Sequence, residues 1–220
     1  MEFQKNIMNN KTFQNINTLL FDLDGTLLDS FSVHLEIFKT TFAQFGIQLS
    51  EEEFLKTYSP NWYETYETFG LRKENWEAAD SFWLKEAEKI SARLFPGVKE
   101  ILLKLEKYFM LGLVTSGSKA RVERDMIATG INIFFKTIVT GDDIQTPKPS
   151  PEGLEIALRN LGKQPDEAIY IGDSSADYEM AKAAGVYFIG ISSEFNSLSN
   201  DHPDYRIHLL NDLPKLMEVE

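Results

Sequence analysis

The segment TLLFDLDGTL, residues 18–27, is the most informative stretch of this chain. Its first four residues form an apolar run that leads into Asp22 and is broken at Gly25, a pattern typical of a buried strand entering a loop. Asp22 and Asp24 are two residues apart, so an extended backbone points both carboxylates to one side while Leu23 turns into the core. Such a pair repels unless a cation or a shared proton offsets it, which favours a divalent ion with oxygen ligands. The competing interpretation, acidic residues capping a turn, is disfavoured by the preceding apolar strand.

Apolar runs of strand length recur along the chain and alternate with helical patterns. The runs cover residues 110–114, 137–140, 168–171 and 187–191. Between them, apolar residues recur at helical spacing in residues 98–105, 122–127, 154–161 and 176–184. This alternation predicts βαβ units and therefore an α/β fold with a doubly wound, Rossmann-like parallel sheet. Ligands of such sheets bind at the carboxyl ends of the strands.

Residues 31–94 interrupt this alternation, because their apolar side chains recur only at helical spacing. A first helix is predicted to end before Gly46. Ser50, with Glu53 three residues later, has the spacing of a capping box and predicts the start of a second helix. Two further helices are predicted from the aromatic-rich stretches 62–69 and 76–90. We interpret these aromatic side chains as core packing within a helical insert in preference to ligand contacts.

The composition suits one globular domain, or one domain with an insert. Of 220 residues, 43% are hydrophobic and 25% are charged. The chain has no cysteine, which excludes disulfides, thiolate metal sites and cysteine nucleophiles. A formal net charge of -12 argues against a nucleic-acid partner or an anionic membrane surface. A phosphorylated substrate remains compatible with this charge, because a bound divalent cation inverts the local field.

Residues 1–17 form a polar tail rich in Asn, Gln and Lys, without the apolar core of a signal peptide. The longest apolar runs are far too short to cross a bilayer. A cytoplasmic location is therefore expected, and the sequence makes no prediction of oligomeric state.

Polar groups follow three later strands of the predicted sheet. In VTSGS, residues 114–118, hydroxyls and a glycine precede a helix, where they can hold phosphate oxygens, although Ser118 could also be a simple N-cap. In TPKPSP, residues 146–151, two prolines bracket Lys148, and Pro151 is predicted at the first helical position. An isolated lysine is usually solvated, but clustered carboxylates and an incoming phosphate require a cation.

The third of these strand ends carries two further carboxylates. In IGDSSAD, residues 171–177, Asp173 lies on the loop and Asp177 on the first helical turn. Acidic residues at a helix start are also favoured by the helix dipole, which is the structural alternative. Asp142 and Asp143 are interpreted as loop or capping residues. The histidines, His34, His202 and His208, show no metal spacing and are assigned to the surface or to packing, although His34 lies close in sequence to the Asp22 loop.

Together these four motifs resemble those of the haloacid dehalogenase superfamily, and the resemblance covers nearly the whole chain. It is to the phosphatase branch with a helical cap inserted after the first strand, which includes phosphoglycolate phosphatases and β-phosphoglucomutases. The resemblance implies a catalytic core of residues 18–30 and 95–220 and a cap of residues 31–94. Asp24 favours phosphoryl transfer, because the dehalogenase branch lacks this second aspartate.

The resemblance also implies roles for individual residues. Asp22 would be the nucleophile that forms an aspartyl-phosphate, and Asp24 the general acid and base. Lys148 would bridge the nucleophile and the phosphoryl group. Mg²⁺ would be bound by Asp22, by the backbone carbonyl of Asp24 and by Asp173, with Asp177 acting through another ligand or a water. The phosphate would be bound by Lys148 together with Thr115, Ser116 and Gly117.

The expected function is that of a Mg²⁺-dependent phosphatase acting on a small phosphorylated metabolite, with a phosphoglycolate-like compound first and a sugar phosphate as the other class. Two alternatives stay open. One is a sugar-phosphate mutase, which retains a bisphosphate intermediate. The other is a non-enzymatic phospho-switch or scaffold of the same fold, although every catalytic group that the family needs is present.

Overall fold

The computed structural model describes residues 15–57, 62–87, 89–90, 92–192, 198 and 203–219. The chain divides into two compact units. One combines Met1–Leu28 with Leu94–Glu220, and the other is Asp29–Arg93. Among the described residues, no helix has both the length and the hydrophobicity that a membrane span needs.

The first unit is built on a parallel sheet of six strands within the described residues. The strands are β1 Thr18–Phe21, β2 Met110–Val114, β3 Thr137–Val139, β4 Ala168–Gly172, β5 Tyr187–Ile191 and β6 Tyr205–Ile207. Their order is β3-β2-β1-β4-β5-β6, and every neighbouring pair is parallel. The predicted doubly wound parallel sheet is therefore confirmed.

The helices fall into two groups, one in each unit. The Asp29–Arg93 unit contains α1 Ser30–Gln44, α2 Glu51–Thr57, α3 Trp62–Thr68 and α4 Trp76–Ala87. The sheet-bearing unit contains α5 Val98–Leu105, α6 Lys119–Thr129, α7 Glu152–Leu161, α8 Ser175–Ala184 and α9 Leu213–Leu216.

The core of the first unit lies against the central strands. All four residues of β1 are fully buried, as expected for a strand covered on both faces. On one face, Leu20 belongs to the same apolar cluster as Leu154 of α7 and Met180 of α8. Not every apolar residue of the predicted helices is buried, because Ile127 of α6 is 67% exposed.

Strand β1 lies where the strand order reverses, with β2 on one side and β4 on the other. Its last residue, Phe21, lies opposite Leu113 of β2 and Ile171 of β4. The residues that follow these three strands therefore meet at one edge of the sheet. This reversal point is where doubly wound folds bind their ligands.

The Asp29–Arg93 unit has an aromatic core of its own. Phe42, Phe54 and Tyr66 are fully buried, and Trp83 is nearly so. The Tyr66 hydroxyl donates to Asp80 at 3.0 Å. The interpretation of the aromatic side chains as core packing is confirmed for these four residues, whereas Tyr63 is 41% exposed.

Several boundaries differ from those predicted. Strand β3 ends at Val139, because Thr140 caps the turn that follows it. Helix α4 ends at Ala87, short of the predicted residue 90. Pro151 is the N-cap of α7 and not its first helical residue, since its carbonyl accepts the first helical hydrogen bond, from Glu155.

Candidate active site

The chain reverses sharply just after β1, and this reversal places Asp22 and Asp24. The Asp22 amide still donates to the Ile171 carbonyl at 2.8 Å, so the Asp22 side chain is held at the sheet edge and is buried. Leu23 is fully buried, as predicted. Gly25 has φ +76, and a Cβ there would lie 2.4 Å from an Asp173 carboxylate oxygen. Only glycine suits both this backbone conformation and this close approach.

Three carboxylates from two strand ends converge at this edge. Oxygens of Asp22, Asp173 and Asp177 all lie within 4.8 Å of one another. Asp177 is fixed by a capping box at the start of α8, where its Oδ2 accepts from the Ser174 hydroxyl at 2.7 Å and from the Ser174 amide at 3.1 Å. The structure thus brings together the residues predicted from the first and fourth motifs.

Lys148 reaches into the same cluster from the loop before α7. Its ammonium donates to Asp22 Oδ1 at 2.7 Å, to Asp177 Oδ1 at 2.7 Å and to the Tyr170 hydroxyl at 2.8 Å. An ammonium has three N–H groups, so these bonds use all of its donors. Direct contact with a phosphoryl oxygen therefore requires that one of these bonds be shared or replaced.

Burial and mutual repulsion shape the protonation of the cluster. Burial, with the charge of Asp177, raises the pKa of Asp22 to about 7 against the opposing effect of Lys148. Burial and the charge of Asp22 also raise the pKa of Asp173 well above its ordinary value. Burial acts on Asp177 in the same direction, but Lys148 and the hydrogen bonds from Ser174 outweigh it and lower its pKa.

This donor set fits a hard divalent cation. The three carboxylate oxygens are close enough together to bind one metal ion. Mg²⁺ prefers oxygen ligands of this kind, and its charge would offset the repulsion between the carboxylates. The three carboxylates differ in how open they are. Both oxygens of Asp177 already have hydrogen-bond donors, Lys148 and Tyr170 at Oδ1 and Ser174 at Oδ2. Asp22 and Asp173 therefore suit direct coordination better than Asp177 does.

The loop after β2 carries the residues predicted to hold phosphate. Thr115 is buried, Ser116 is exposed, and the Gly117 amide donates to the Thr115 hydroxyl at 3.3 Å. Gly141 lies against this loop, where a Cβ would come within 2.5 Å of the Ser116 carbonyl oxygen.

Helix α6 begins immediately after this loop. Ser118 is its N-cap residue but makes no capping bond, and Asp142 instead accepts from the Lys119 amide at 2.8 Å. Asp143 forms a capping box with Thr140. The capping role predicted for the two aspartates is confirmed.

Two residues at this edge were missing from the sequence prediction. The Tyr170 hydroxyl accepts from Lys148 and lies 3.0 Å from the Val114 carbonyl oxygen and 3.1 Å from Asp177 Oδ1. Arg121 of α6 forms a two-bond fork with Asp24. Tyr170 carried no signal in the sequence, because a tyrosine in a buried strand normally indicates core packing. Arg121 carried a weak signal of a nearby carboxylate, because the helix dipole disfavours an unpaired cation in the first turn of a helix.

Tyr170→Phe is expected to lower the free energy of unfolding by about 1–3 kcal/mol, since it leaves a buried ammonium N–H with one acceptor fewer. Thermal and urea melts measure this. Tyr178→Phe is the matched control, because Tyr178 packs its ring 5.8 Å from that of Phe188. Equal stability of the two variants would contradict a bracing role for the Tyr170 hydroxyl.

The assignment of the histidines to packing or to the surface agrees with the surroundings of the two that are described. His34 belongs to α1, and its ring packs 5.5 Å from that of Trp83. His208 is exposed. His202 lies outside the described residues.

Buried aspartates and a lysine at the reversal point of a parallel sheet fit a hydrolase of the phosphatase class, and the family match and the relatives below show this class. The chain belongs to the haloacid dehalogenase-like hydrolase family, whose model matches residues 19–191. A curated relative, pyrophosphatase PpaX of Bacillus velezensis, is 33% identical over 219 residues, which cover 95% of this chain and 100% of the relative. The resemblance noted from the motifs is therefore confirmed.

Solved structures show the same fold. A predicted phosphoglycolate phosphatase from Haemophilus somnus 129PT superimposes with a TM-score of 0.80 at 21% identity, covering 93% of this chain and 99% of that chain. A putative β-phosphoglucomutase from Thermotoga maritima gives a TM-score of 0.79 at 20% identity, covering 92% and 99%.

Proposed function

We propose that this phosphatase depends on Mg²⁺ and hydrolyses a small phosphorylated metabolite through an aspartyl-phosphate on Asp22. The observation that supports the proposal is the position of the Asp22 carboxylate. Its carboxylate is buried, lies 2.7 Å from the Lys148 ammonium, and shares one pocket of oxygens with Asp173 and Asp177. A carboxylate oriented by a fixed cation is a suitable nucleophile for phosphorus.

The reaction has two steps. In the first, an Asp22 oxygen forms a bond to phosphorus as the bond to the leaving oxygen breaks, and Asp24 donates a proton to that oxygen. In the second, Asp24 takes a proton from water, whose oxygen attacks phosphorus and releases phosphate and free Asp22. Both proton transfers balance, because Asp24 regains in the second step the proton it gave in the first.

The remaining residues hold the phosphoryl charge. Lys148 offsets the charge of Asp22 and of the incoming phosphate, and Thr115, Ser116 and the Gly117 amide offer donors at the neighbouring strand end. We propose Asp22, the Asp24 backbone carbonyl and Asp173 as Mg²⁺ ligands. Asp177 would act on the metal only through another ligand or a water. When bound, Mg²⁺ supplies the positive charge that these carboxylates and the phosphoryl group share.

The substrate class is a phosphate on a small molecule. The family resemblance implies phosphoglycolate-like compounds and sugar phosphates, and we add inorganic pyrophosphate because the curated relative is named a pyrophosphatase. We further propose that residues 31–94 act as the cap that selects among them, and that the enzyme works in the cytoplasm.

A phosphate-release screen tests this function. We expect Mg²⁺-dependent turnover of at least one of pyrophosphate, 2-phosphoglycolate and sugar phosphates, and loss of that turnover in Asp22→Asn, which keeps the shape but not the nucleophile. Isomerised sugar phosphate without net phosphate release would instead identify a mutase. A phosphorylated protein that never turns over would identify a switch.

Mg²⁺ is expected to raise the melting temperature, and to raise it more at about pH 8 than at about pH 5, because protons compete with the metal for the same carboxylates. The folded-state pKa of Asp22, about 7, lies above its ordinary value of 3.8. Between these values the Asp22 carboxyl binds more protons in the metal-free folded protein than in the unfolded chain. The contribution of Asp22 to the free energy of unfolding therefore falls as pH rises through this window.

Asp173→Ala is expected to lose this Mg²⁺-induced shift while it still folds, since the apolar core stays intact. Asp142→Ala is the control, because Asp142 lies in a nearby loop but caps α6. If Asp173→Ala keeps the full shift in the melting temperature, the metal ligand has been misassigned.

A further inference from the structure

Arg121 holds the carboxylate of Asp24 with two parallel hydrogen bonds. Its Nη1 donates to Asp24 Oδ1 at 3.0 Å, and its Nη2 donates to Asp24 Oδ2. Both side chains are about one-third exposed, so the pair is partly shielded from water. A fork of this kind fixes the plane and direction of a carboxylate, which a single lysine bond does not do.

Arg121 is itself braced from behind. Its Nη1 lies 3.5 Å from Asp125 Oδ2, one helical turn further along α6. The Asp125 carboxylate is buried and accepts from Arg124 at 2.9 Å. Gly117 leaves room for the guanidinium, because a Cβ there would lie 2.3 Å from Arg121 Nη2.

The position of Arg121 on its helix is unfavourable without Asp24. Helix α6 begins at Lys119, which puts Arg121 in the first turn, where the helix dipole is positive and disfavours a cation. The carboxylate of Asp24, which lies 97 positions away in sequence, offsets this charge. The arrangement therefore joins the loop after β1 to the helix after β2.

We propose that Arg121 is a positioning residue for Asp24, whose carboxylate it orients for activation of water in the second step. The inference rests on the acid and base role proposed above for Asp24. It assigns Arg121 an effect on catalysis that passes through Asp24 and not through a bond to the substrate. Removal of Arg121 should then reproduce a weaker form of the loss caused by removal of Asp24.

A double-mutant cycle with p-nitrophenyl phosphate tests this. We expect Arg121→Met to lower kcat by about 100-fold, the scale of a misplaced catalytic group, with KM changed by less than about threefold. Phosphorylated Asp22 should accumulate, as detected by intact-protein mass after rapid quench. In an Asp24→Ala background the same substitution should have no further effect on kcat, because the group it positions is absent.

Two further variants and their melting temperatures distinguish a loss of positioning from a loss of folded structure. Arg121→Lys keeps the charge without the fork and should recover only part of kcat. Glu123→Gln is the matched control, because Glu123 is an exposed residue of the same helix. Its kcat should stay within about threefold of the wild type, a change typical of surface substitutions. Melting temperatures are measured for every variant.

Each other outcome overturns the inference in a distinct way. If Arg121→Met lowers kcat as much in the Asp24→Ala background as in the wild type, Arg121 acts on the substrate itself. If Asp24→Ala lowers kcat strongly while Arg121→Met does not, only the positioning role fails. If Asp24→Ala has no effect, the acid and base role of Asp24 fails, and the inference fails with it.

Discussion

Asp24→Ala is expected to reduce hydrolysis of 2-phosphoglycolate by about 10²–10⁴-fold, the usual contribution of a positioned acid or base. The effect should depend on the leaving group. An alkoxide needs a proton to depart, whereas p-nitrophenolate leaves with little help. Phosphorylation of Asp22 by p-nitrophenyl phosphate should therefore survive the substitution better than phosphorylation by 2-phosphoglycolate.

The second step does not depend on the leaving group. In both reactions water must still lose a proton as it attacks the aspartyl-phosphate. The phosphorylated enzyme should thus accumulate with the aryl ester, and intact-protein mass after rapid quench should detect it. Asp22→Asn is the control, since it removes the acceptor of the phosphoryl group. Equal losses with both esters and no trapped phosphoryl group would remove Asp24 from the acid and base role.

Lys148→Met is expected to abolish most activity and to destabilise the protein. Loss of a charge that supports the phosphoryl group costs about 10²–10³-fold in kcat in comparable sites. The substitution also leaves Asp22 and Asp177 buried without the cation that lies 2.7 Å from each. Removal of one partner from such a buried pair lowers the free energy of unfolding by about 3–5 kcal/mol.

The stability loss in Lys148→Met should depend on pH. Lys148 lowers the pKa values of Asp22 and Asp177, so both pKa values rise when it is removed. The folded variant then binds more protons than its unfolded chain above about pH 4, and its free energy of unfolding falls as pH rises. The difference from the wild type should therefore be largest at neutral pH and smallest near pH 4, as measured by urea melts.

A second substitution separates stability from catalysis. Lys148→Met with Asp177→Asn removes one of the uncompensated charges and should recover part of the stability but none of the activity. Lys163→Met is the control, since Lys163 is also partly buried and lies 3.4 Å from Glu167, outside the site. Full activity of Lys148→Met would contradict any role of Lys148 in the chemistry.

Strand and helix positions in this protein follow from local patterns. Short apolar runs marked β1, β2, β4 and β5, because a strand covered on both faces must be apolar throughout. Strand β6 was missing from the prediction, since Tyr205–Ile207 is only three residues long and too short for any periodicity. The apolar pattern of α6 did not show which of two neighbouring residues packs inward, and the structure buries Met126 and leaves Ile127 exposed.

The location of the site was also predictable from the sequence. Parallel strands direct their carboxyl ends to one edge, so polar residues placed after β1, β2 and β4 must meet there. Asp22, Asp173 and Asp177 do meet. The chemical class followed because clustered carboxylates need a cation and because the four motifs stand in the family's order.

The partners within the site depended on the tertiary structure alone. Lys148 and Asp22 are 126 positions apart, and neither periodicity nor spacing indicates that the ammonium also bonds Asp177 and the Tyr170 hydroxyl. The fork of Arg121 on Asp24 is equally nonlocal. Local sequence determined which backbone segments carry charged groups to the sheet edge, because apolar periodicity and turn chemistry act over a few residues. Which charge neutralises which was decided by packing, since side chains from distant segments find their hydrogen-bond partners only when the sheet and its helices have assembled.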